Sequence, residues 1–285
     1  MMNNHPAIAA GRVAVITGGA NGIGLAVALR CAAVGMRVCL ADISDALAAS
    51  ADAVARAGAP DVMHRTVDVA DVAQVCGLRD AVFERFGEVG LLMNNAAVGS
   101  GGDLFSGPGS WEGILGVNLG GVLNGVQAFV QPMVDQGTPA AIVNTGSKQG
   151  FTSPPGNTAY NVTKAAVRTL TEGLAHSLRQ IAGCRVSAHL LVPGFTYSAM
   201  MSRHFAEKPA AAWTCDQVAE ALLAGLARSD FYIWCQDNET SRAMDERRLQ
   251  WSQDDVIRNR PALSRWHPDF KDDFEAFCAS GRSPE

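Results

Sequence analysis

The stretch Thr17-Gly18-Gly19-Ala20-Asn21-Gly22-Ile23-Gly24 decides the fold, because it joins a short apolar segment, Val13–Thr17, to the start of a helical pattern. Glycines let a backbone turn tightly and approach a bound group, and the helix that follows offers free N–H groups to an anion. A glycine-rich turn is common by itself, but a strand before it and a helix after it are typical of a turn that binds a dinucleotide pyrophosphate. The candidate cofactor residues on this turn are Gly18, Asn21, Gly22, Ile23 and Gly24.

The pattern continues outward from this turn as short apolar segments that alternate with longer helical ones. The segments are mostly apolar rather than alternating, as expected for strands buried on both faces. This rhythm predicts right-handed crossovers and a parallel sheet. The predicted strands are Val13–Thr17, Arg37–Asp42, His64–Val69, Leu91–Ala96, Ala141–Thr145, Val186–Val192 and Phe231–Cys235. The predicted helices cover 22–34, 45–57, 71–86, 111–136, 157–182 and 216–228.

The length and composition agree with one α/β domain. The chain has 285 residues, of which 48% are hydrophobic and 18% are charged, so it can bury a large core. The alternation stops after Asp237. We therefore predict a single Rossmann-type, doubly wound parallel sheet of about seven strands over residues 1–237, and a C-terminal helical extension over 238–285.

The charge and cysteine pattern narrows the partners and the compartment. The net charge of −5 argues against nucleic acid or an anionic membrane as the main partner. Seven cysteines are scattered without a CxxC pair, which indicates reduced thiols in a cytoplasmic protein and no metal site. We identify no signal-peptide pattern at the N-terminus and no apolar run of about 18 residues that would span a membrane.

Asp42 ends the second predicted strand, eighteen residues after Gly24. An acid at this position can accept both hydroxyls of an adenosine ribose and would repel a 2′-phosphate, which favours NAD over NADP. Asp42 could instead cap the helix predicted over 45–57. Its place at a strand end favours the ribose role.

Tyr160 and Lys164 are four residues apart on a predicted helix and therefore share one face. Lowering a tyrosine pKa by about 3 units costs about 4 kcal/mol. One ammonium about 4 Å away supplies about that much at an effective dielectric of about 20. Ser147 lies thirteen residues before Tyr160, at the end of a predicted buried strand, where parallel sheets bind ligands.

With these motifs in order, residues 10 to 236 resemble the short-chain dehydrogenase/reductase family. Thr17, Gly18, Gly22 and Gly24 match its TGxxxGxG turn, and 94–97 match its NNAG motif except that Ala97 replaces the glycine. The residues that match its catalytic tetrad are Asn118, Ser147, Tyr160 and Lys164. Pro193-Gly194 matches its PG motif, and Ser198 stands where a threonine is usual.

The resemblance implies an NAD-dependent oxidoreductase that moves a hydride between nicotinamide and a secondary alcohol or ketone. Tyr160 is then the acid/base, Lys164 lowers its pKa and binds the nicotinamide ribose, Ser147 binds the substrate oxygen, and Asn118 holds a water molecule. The further cofactor residues that the resemblance implies are Asp68 and Val69 at the adenine, Asn95, Pro193, and Thr196 and Ser198 at the carboxamide. Two alternatives remain: a nucleotide sensor without turnover, and a lyase or epimerase.

Two segments are expected to line the substrate side: residues 148–152 and the stretch from Phe195 to Ala212, which contains Met200, Met201 and Phe205. Methionines and aromatic side chains suit a sizeable apolar or aromatic substrate, although packing of the loop itself explains them equally well. Lys148 could anchor a carboxylate or be solvated, and we interpret it as solvated.

The extension and two core helices raise the question of assembly. We expect weak helix from Asn238 to Asn259 and a second helix from Pro268 to Ala279, with Phe270, Phe274 and Phe277 on one face. Such a stripe should dock on its own subunit, on a neighbouring subunit, or over the loop at 195–212. The resemblance implies a homodimer or homotetramer built on the helices at 111–136 and 157–182.

Overall fold

A computed structural model describes residues 5–99, 102–107, 109–203 and 205–280, with the side chain of residue 203 excluded. Seven strands form one parallel sheet in the order β3-β2-β1-β4-β5-β6-β9, which confirms the predicted fold class. The strands of this sheet are β1 (Val13–Thr17), β2 (Arg37–Asp42), β3 (Val62–Thr66), β4 (Leu91–Asn94), β5 (Ala140–Thr145), β6 (Val186–Val192) and β9 (Tyr232–Trp234). A separate parallel pair joins β7 (Thr196–Tyr197) and β8 (Trp213–Thr214).

Helices cover both faces of the sheet, because its central strands are apolar on both sides and β1, β4 and β5 are wholly buried. Helices α1, α2 and α8 pack on one face, and α3, α5 and α7 pack on the other. The helices before the extension are α1 (Gly22–Ala33), α2 (Leu47–Arg56), α3 (Val72–Phe86), α4 (Glu112–Ile114), α5 (Gly121–Asp135), α6 (Gln149–Thr152), α7 (Thr158–Gln180) and α8 (Cys215–Ala227).

The strand order places the site. Strand β1 lies between β2 and β4, so the connections leave it in opposite directions and open a crevice at its carboxyl end. The glycine-rich turn follows β1 at this point, and Ser147 follows β5 two strands away at the same edge. The fold therefore brings the two halves of the predicted site to one side of the sheet.

Four strands differ from the prediction: β5 starts one residue earlier, β9 is one residue shorter at each end, and β3 and β4 differ by more. Strand β3 runs over Val62–Thr66 rather than His64–Val69, because the Asp68 N–H donates to the Gln74 side chain at 2.9 Å and turns the chain toward α3. Strand β4 ends at Asn94 rather than Ala96, because the N–H groups of the next two residues donate to the Thr17 hydroxyl. The ends of β3 and β4 are each set by a side chain from elsewhere in the sequence.

The helix predicted over 111–136 contains a π-helical segment, Leu115–Gly120, between α4 and α5. The whole stretch from Glu112 to Asp135 is long and apolar enough to cross a membrane. An 18-residue window within it has a mean hydropathy of 1.4, and 44% of that window is buried inside the protein. Val126 and Phe129 on this stretch pack against the sheet. A core helix has the same length and composition, so these properties are weak grounds for a membrane span.

The extension folds as α9 (Arg242–Ile257), a 3₁₀ turn (Pro268–Phe270) and α10 (Lys271–Ala279). Helix α9 starts four residues later than predicted, because the Ser241 hydroxyl accepts the Met244 N–H and caps it. Phe274 and Phe277 pack on Trp251 of α9, so much of the aromatic stripe is covered by the extension itself. The boundary between domain and extension at residue 237 stays a prediction.

Candidate active site

The glycine-rich turn is shaped by close approaches that exclude side chains. Gly18 has a positive φ of 64°, and a Cβ there would lie 2.8 Å from the Ala96 Cα. A Cβ on Gly24 would collide with the Gly18 carbonyl oxygen. Helix α1 begins after Asn21, whose side chain makes no capping hydrogen bond. The first N–H groups of α1 are therefore not occupied by the side chain of its N-cap residue, as an anion site at a helix start requires.

Asn95 holds this turn in place rather than pointing away from it. Its Nδ2 donates to the carbonyl oxygens of Thr17 and Gly18, each at 3.2 Å. Its backbone N–H donates to the Thr17 hydroxyl at 3.0 Å. The loop after β4 thus fixes the backbone that would receive the pyrophosphate, which is how the structure uses this residue.

Asp42 lies at the carboxyl end of β2, beside the same turn. Its two carboxylate oxygens accept the N–H groups of Ala20 at 3.0 Å and Ser44 at 3.1 Å. Helix α2 is preceded by Ala46 and has no side-chain cap, so the alternative role of Asp42 as a helix cap is wrong. The carboxylate is oriented by the glycine-rich turn itself, which suits the ribose role.

The other predicted cofactor residues lie along the same edge. Asp68 is exposed and its Oδ1 accepts the Ala70 N–H at 2.9 Å, whereas Val69 is 6% exposed and packs on Gly121. Of the two, Asp68 has the exposed polar atoms that a base contact needs. On the opposite side of the turn, the Ser198 Cβ would lie 3.7 Å from a Cβ on Gly22.

The turn after β6 carries Pro193 and Thr196. Thr196 is 7% exposed, and its hydroxyl donates to the Gly194 carbonyl oxygen at 3.2 Å. The Pro193 carbonyl oxygen accepts the Lys148 N–H at 3.1 Å. A groove runs beside this turn between α1 and the segment around Ser198. The predicted carboxamide residues are therefore next to the glycine-rich turn.

Ser147 and Tyr160 meet beyond the end of β5. The Ser147 Oγ accepts the Gln149 N–H at 3.2 Å, which fixes the hydroxyl. Burial raises the pKa of the Tyr160 phenol, and the hydrogen bond with Ser147 partly opposes that rise. Tyr160 is placed by Asn157, the N-cap of α7, whose side chain accepts the Tyr160 N–H at 3.3 Å. Asn157 was missed in the sequence analysis, although an asparagine three residues before a helical tyrosine is a recognisable capping signal.

Lys164 is buried on the same face of α7, 2% exposed. Its ammonium donates to the Thr145 carbonyl oxygen at 2.8 Å and lies 5.6 Å from the centre of the Tyr160 ring. Desolvation lowers its pKa to about 8. The pKa of the Tyr160 phenol is raised rather than lowered in this structure, and the hydrogen bond of the Lys164 ammonium goes to the strand end.

Asn118 lies in the π-helical segment and is fully buried. Its side chain accepts the Val98 N–H at 2.8 Å and donates to the Val98 carbonyl oxygen at 2.9 Å. A longer contact of 3.4 Å joins it to the Thr163 hydroxyl, one residue before Lys164. Asn118 thus connects the loop after β4 to the face of α7 that carries Tyr160 and Lys164.

The interpretation of Lys148 as a solvated side chain is wrong, because the side chain is largely buried and paired with two acids. Its ammonium lies 2.6 Å from an Asp245 carboxylate oxygen and 3.1 Å from an Asp237 oxygen, and the lysine side chain is 12% exposed. Both acids follow the last strand, where the alternation had ended. Nothing in the residues next to Lys148 indicates that its partners lie almost a hundred residues later in the sequence.

The substrate side is bounded by Met200, which lies directly against Gly99 from the loop after β4. Phe195 and Phe205 pack edge to face with their ring centres 5.9 Å apart. Phe105 on the loop after β4 is 97% exposed. Within the residues that the structure describes, no group of three or more His, Cys, Asp or Glu side chains could hold a metal ion.

Comparisons with known proteins agree with this geometry. The model of the family described as short chain dehydrogenase matches residues 12–209. The 1-deoxy-11-beta-hydroxypentalenate dehydrogenase of Streptomyces avermitilis is 32% identical over 246 residues, covering 84% of this chain and 89% of the relative.

Two solved structures are also similar. A short chain dehydrogenase/reductase from Burkholderia phymatum in complex with NAD has a TM-score of 0.80 and 35% identity, covering 89% of this chain and 96% of that one. An alcohol dehydrogenase from the archaeon Thermococcus sibiricus complexed with 5-hydroxy-NADP has a TM-score of 0.67 and 28% identity, covering 75% and 90%. With its doubly wound sheet, its glycine-rich turn and its serine, tyrosine and lysine at one edge, the chain belongs to the short-chain dehydrogenase/reductase family.

Proposed function

We propose that the protein is an NAD-dependent oxidoreductase that transfers a hydride between nicotinamide and a secondary alcohol or ketone, with Tyr160 as the general acid/base. The observation that carries this proposal is that Ser147, Tyr160 and the buried Lys164 come together at the sheet edge that carries the glycine-rich turn, with Ser147 close enough to Tyr160 to lower its pKa. A phenol, a hydroxyl and an ammonium together can bind an alcohol oxygen and remove its proton.

The residues divide the work as follows in the oxidation direction. A bound nicotinamide nucleotide supplies the acceptor for the hydride that leaves the alcohol carbon. Ser147 binds the alcohol oxygen, and the Tyr160 phenolate takes the hydroxyl proton. Lys164 starts from a pKa of about 8, so a large part of it is charged near neutrality and can favour the phenolate. Because the phenol pKa is raised by burial, added positive charge in the crevice is needed to bring it into working range.

The turn and Asp42 fit NAD. Gly18 and Gly24 let the turn fold tightly against Ala96 and onto itself, as a pyrophosphate-binding turn does, and Asp42 lies beside the turn with a carboxylate suited to a ribose. The related structures include one with NAD and one with an NADP derivative, so family membership alone does not select between them. The orientation of Asp42 is the feature that favours NAD.

The pairing of Lys148 favours a neutral substrate. Its charge is already matched by two carboxylates, so it is not free to anchor an acid. Met200 and the edge-to-face pair of Phe195 and Phe205 present apolar and aromatic surface on the substrate side. We therefore propose a sizeable apolar or aromatic alcohol or ketone without a carboxylate near the reacting carbon.

The proposal is tested by a dehydrogenase screen with NAD and a panel of secondary alcohols, followed at the NADH absorbance. The Tyr160→Phe variant should lose about 10²–10⁴-fold in kcat and keep its affinity for NADH, because only the titratable oxygen is removed. Tyr232→Phe is the matched control, since Tyr232 is 46% exposed and its hydroxyl donates to Glu172, away from Ser147 and Lys164.

Three outcomes would contradict the proposal. A Tyr160→Phe variant with the kcat of the wild type removes the tyrosine mechanism. Tight NADH binding by the wild type with no turnover on the panel identifies a nucleotide sensor. Substrate conversion without a net change in NADH identifies a lyase or epimerase.

The cofactor preference has its own test. The wild type should prefer NAD over NADP by at least ~100-fold in kcat/KM, and Asp42→Ala should narrow the gap. The same change should raise the KM for NAD, because the Ala20 N–H loses its acceptor. Asp45→Ala, at an exposed position three residues on, is the control. Equal use of both cofactors by the wild type would remove the specificity role of Asp42.

We also propose that the chain forms a homodimer or homotetramer through α5 and α7. Leu123 of α5 and Val162 of α7 are 39% and 42% exposed, and Ile181 just after α7 is 42% exposed. Apolar side chains left open on two long adjacent helices suit contact with a second copy. Sedimentation at micromolar concentration tests this, and a species of only 30 kDa would contradict it.

A further inference from the structure

Lys148 and two acids form a buried charged cluster behind the proposed site. The Lys148 Nζ lies 2.6 Å from Asp245 Oδ2 and 3.1 Å from Asp237 Oδ2. The side chains of Asp237 and Asp245 are 11% and 3% exposed. Charges buried to this degree are kept only where they are paired, so the position of each depends on the others.

Asp245 is the centre of this cluster and comes from the extension. The Trp234 indole N–H donates to its Oδ2 at 2.8 Å, and an Arg248 guanidinium nitrogen lies 3.8 Å from its Oδ1. The four charged groups balance, with Lys148 and Arg248 against two carboxylates. Burial would raise the pKa of Asp237, but the hydrogen bonds from Lys148 and Thr240 and the charge of Lys148 together outweigh it and leave that pKa lowered. Helix α9 therefore completes a neutral cluster.

The other side of the cluster is the catalytic loop. Lys148 directly follows Ser147, and its own N–H donates to the Pro193 carbonyl oxygen at 3.1 Å. Its carbonyl oxygen accepts the N–H groups of Phe151 and Thr152 at 3.1 and 3.2 Å. One residue thus ties the serine to the turn after β6 and to helix α6.

The end of the lysine side chain also lies against Gly194. A Cβ at Gly194 would be 2.9 Å from the Lys148 Nζ and 3.0 Å from the Asp237 Oδ2. The ion pair therefore packs directly on the backbone of the turn that holds Pro193. Any shift of the lysine is passed both to this turn and to the serine.

We propose that Lys148 and Asp245 are positioning residues, through which the C-terminal extension sets the placement of Ser147 and of the Pro193-Gly194 turn. This inference rests on the proposed function for the role of Ser147. Loss of the pair frees the loop, and a displacement of the reacting groups by about 1 Å can reduce a rate by about 100-fold. The extension then acts on catalysis without touching the substrate.

The test compares Asp245→Asn with Glu246→Gln, the adjacent position on α9, which is exposed and pairs only with Arg242. The activity assay uses the secondary alcohol or ketone that the wild type converts fastest in the panel. Asp245→Asn should lower kcat at least about tenfold and should raise the NADH dissociation constant by a smaller factor, because the Pro193-Gly194 turn also lies against Lys148. Glu246→Gln should match the wild type in both.

A second readout separates positioning from general loss of structure. Because Ser147 hydrogen-bonds with Tyr160, a displaced serine should raise the pKa of the phenol further. This is measured by ultraviolet titration of the tyrosines, with Tyr160→Phe as the difference reference. The titration needs no substrate, so it still tests the inference if the wild type shows no turnover and the proposed function fails.

A third variant protects against misfolding. In the double variant Lys148→Gln/Asp245→Asn, one cation and one anion are lost together, so Arg248 and Asp237 still balance. The kcat of the double variant should be at least about tenfold below that of the wild type. It should lose no more kcat than the worse of the two single variants, Lys148→Gln and Asp245→Asn, because the two residues act as one unit. The inference would be overturned if the folded variants had the kcat and the phenol pKa of the wild type. It would also be overturned if the kcat loss of the double variant were the product of the losses of the two single variants.

Discussion

The sheet domain and the C-terminal extension are stabilised in different ways. Every residue of β5 is buried, and Ile142 in its middle is completely covered. In α9 only Asp245 and Trp251 are buried, and α10 has no buried residue. The sheet domain is held by apolar burial, and the extension is held by other contacts.

Those other contacts are charged groups and aromatic rings. The Arg260 guanidinium lies 3.8 Å from the centre of the Trp251 ring, and Arg247 lies 5.0 Å from that of Phe277. Each such stack contributes about 0.5–2 kcal/mol, depending on exposure. We therefore expect that the extension can unfold locally while the sheet stays folded, because most contacts of the extension are weak and local.

The largest effect is expected in the sheet. Ile142→Ala should lower the free energy of unfolding by about 2–5 kcal/mol, because the surrounding strands cannot close the cavity. Urea denaturation followed by circular dichroism measures it. An Ile257→Ala variant in the extension is the control: that side chain is 76% exposed and should cost less than about 0.5 kcal/mol. If Ile142→Ala and Ile257→Ala lowered the free energy of unfolding by similar amounts, the proposed difference between the sheet and the extension would be wrong.

A second effect concerns the dependence of stability on pH. Burial raises the pKa of the Cys31 thiol from 9.0 to about 12. Between those values the unfolded chain loses a proton that the folded chain keeps, so the free energy of unfolding falls as pH rises, by up to about 1.4 kcal/mol per pH unit for this thiol. Cys31→Ala should reduce the slope by that amount.

Its control is Val27→Ala, since Val27 is fully buried in the same cluster and has no titrating group. That variant should be less stable at every pH but should keep the slope of the wild type. Urea midpoints at several values between pH 8.5 and about 11 distinguish the two. An unchanged slope in Cys31→Ala would show that the buried thiol is not responsible.

The smallest effect on global unfolding is expected from Trp251→Ala. This change removes the ring on which Phe274, Phe277 and Arg260 pack. Because the extension is held mainly by its own contacts, limited proteolysis within 238–280 should speed up at least about tenfold, while global unfolding shifts by less than about 1 kcal/mol. A loss of 3 kcal/mol or more in a single transition would show that the extension and the sheet unfold together.

The sequence predicts the sheet well because burial leaves a local pattern. Val13–Thr17 and Val186–Val192 were predicted with the boundaries that the structure has, since apolar strands between glycine and proline stand out. Strands β7 and β8 have two residues each and leave no such pattern. The π-helical segment around Asn118 was also missed, because nothing in its residues marks an extra hydrogen-bond register.

The site residues also divide into those that a local sequence pattern predicts and those that depend on distant contacts. The glycine-rich turn and the Tyr160–Lys164 pair are read from short spacings, and the structure brings both to one edge of the sheet. The direction of the Lys164 ammonium, toward Thr145, depends on a strand end nineteen residues earlier. The pairing of Lys148 with Asp245 depends on how the extension packs, which no local spacing encodes.

The strand order also constrains how the chain can fold during its synthesis. Strand β1 is made first but lies near the middle of the sheet, and it pairs with β2 on one side and with β4 on the other. Its second edge therefore stays open until residues 91–93 have left the ribosome. Apolar strands that wait in this way are exposed to aggregation. Helix α9 is made after every strand of the sheet, so the ion pair with Lys148 can form only after the serine loop exists.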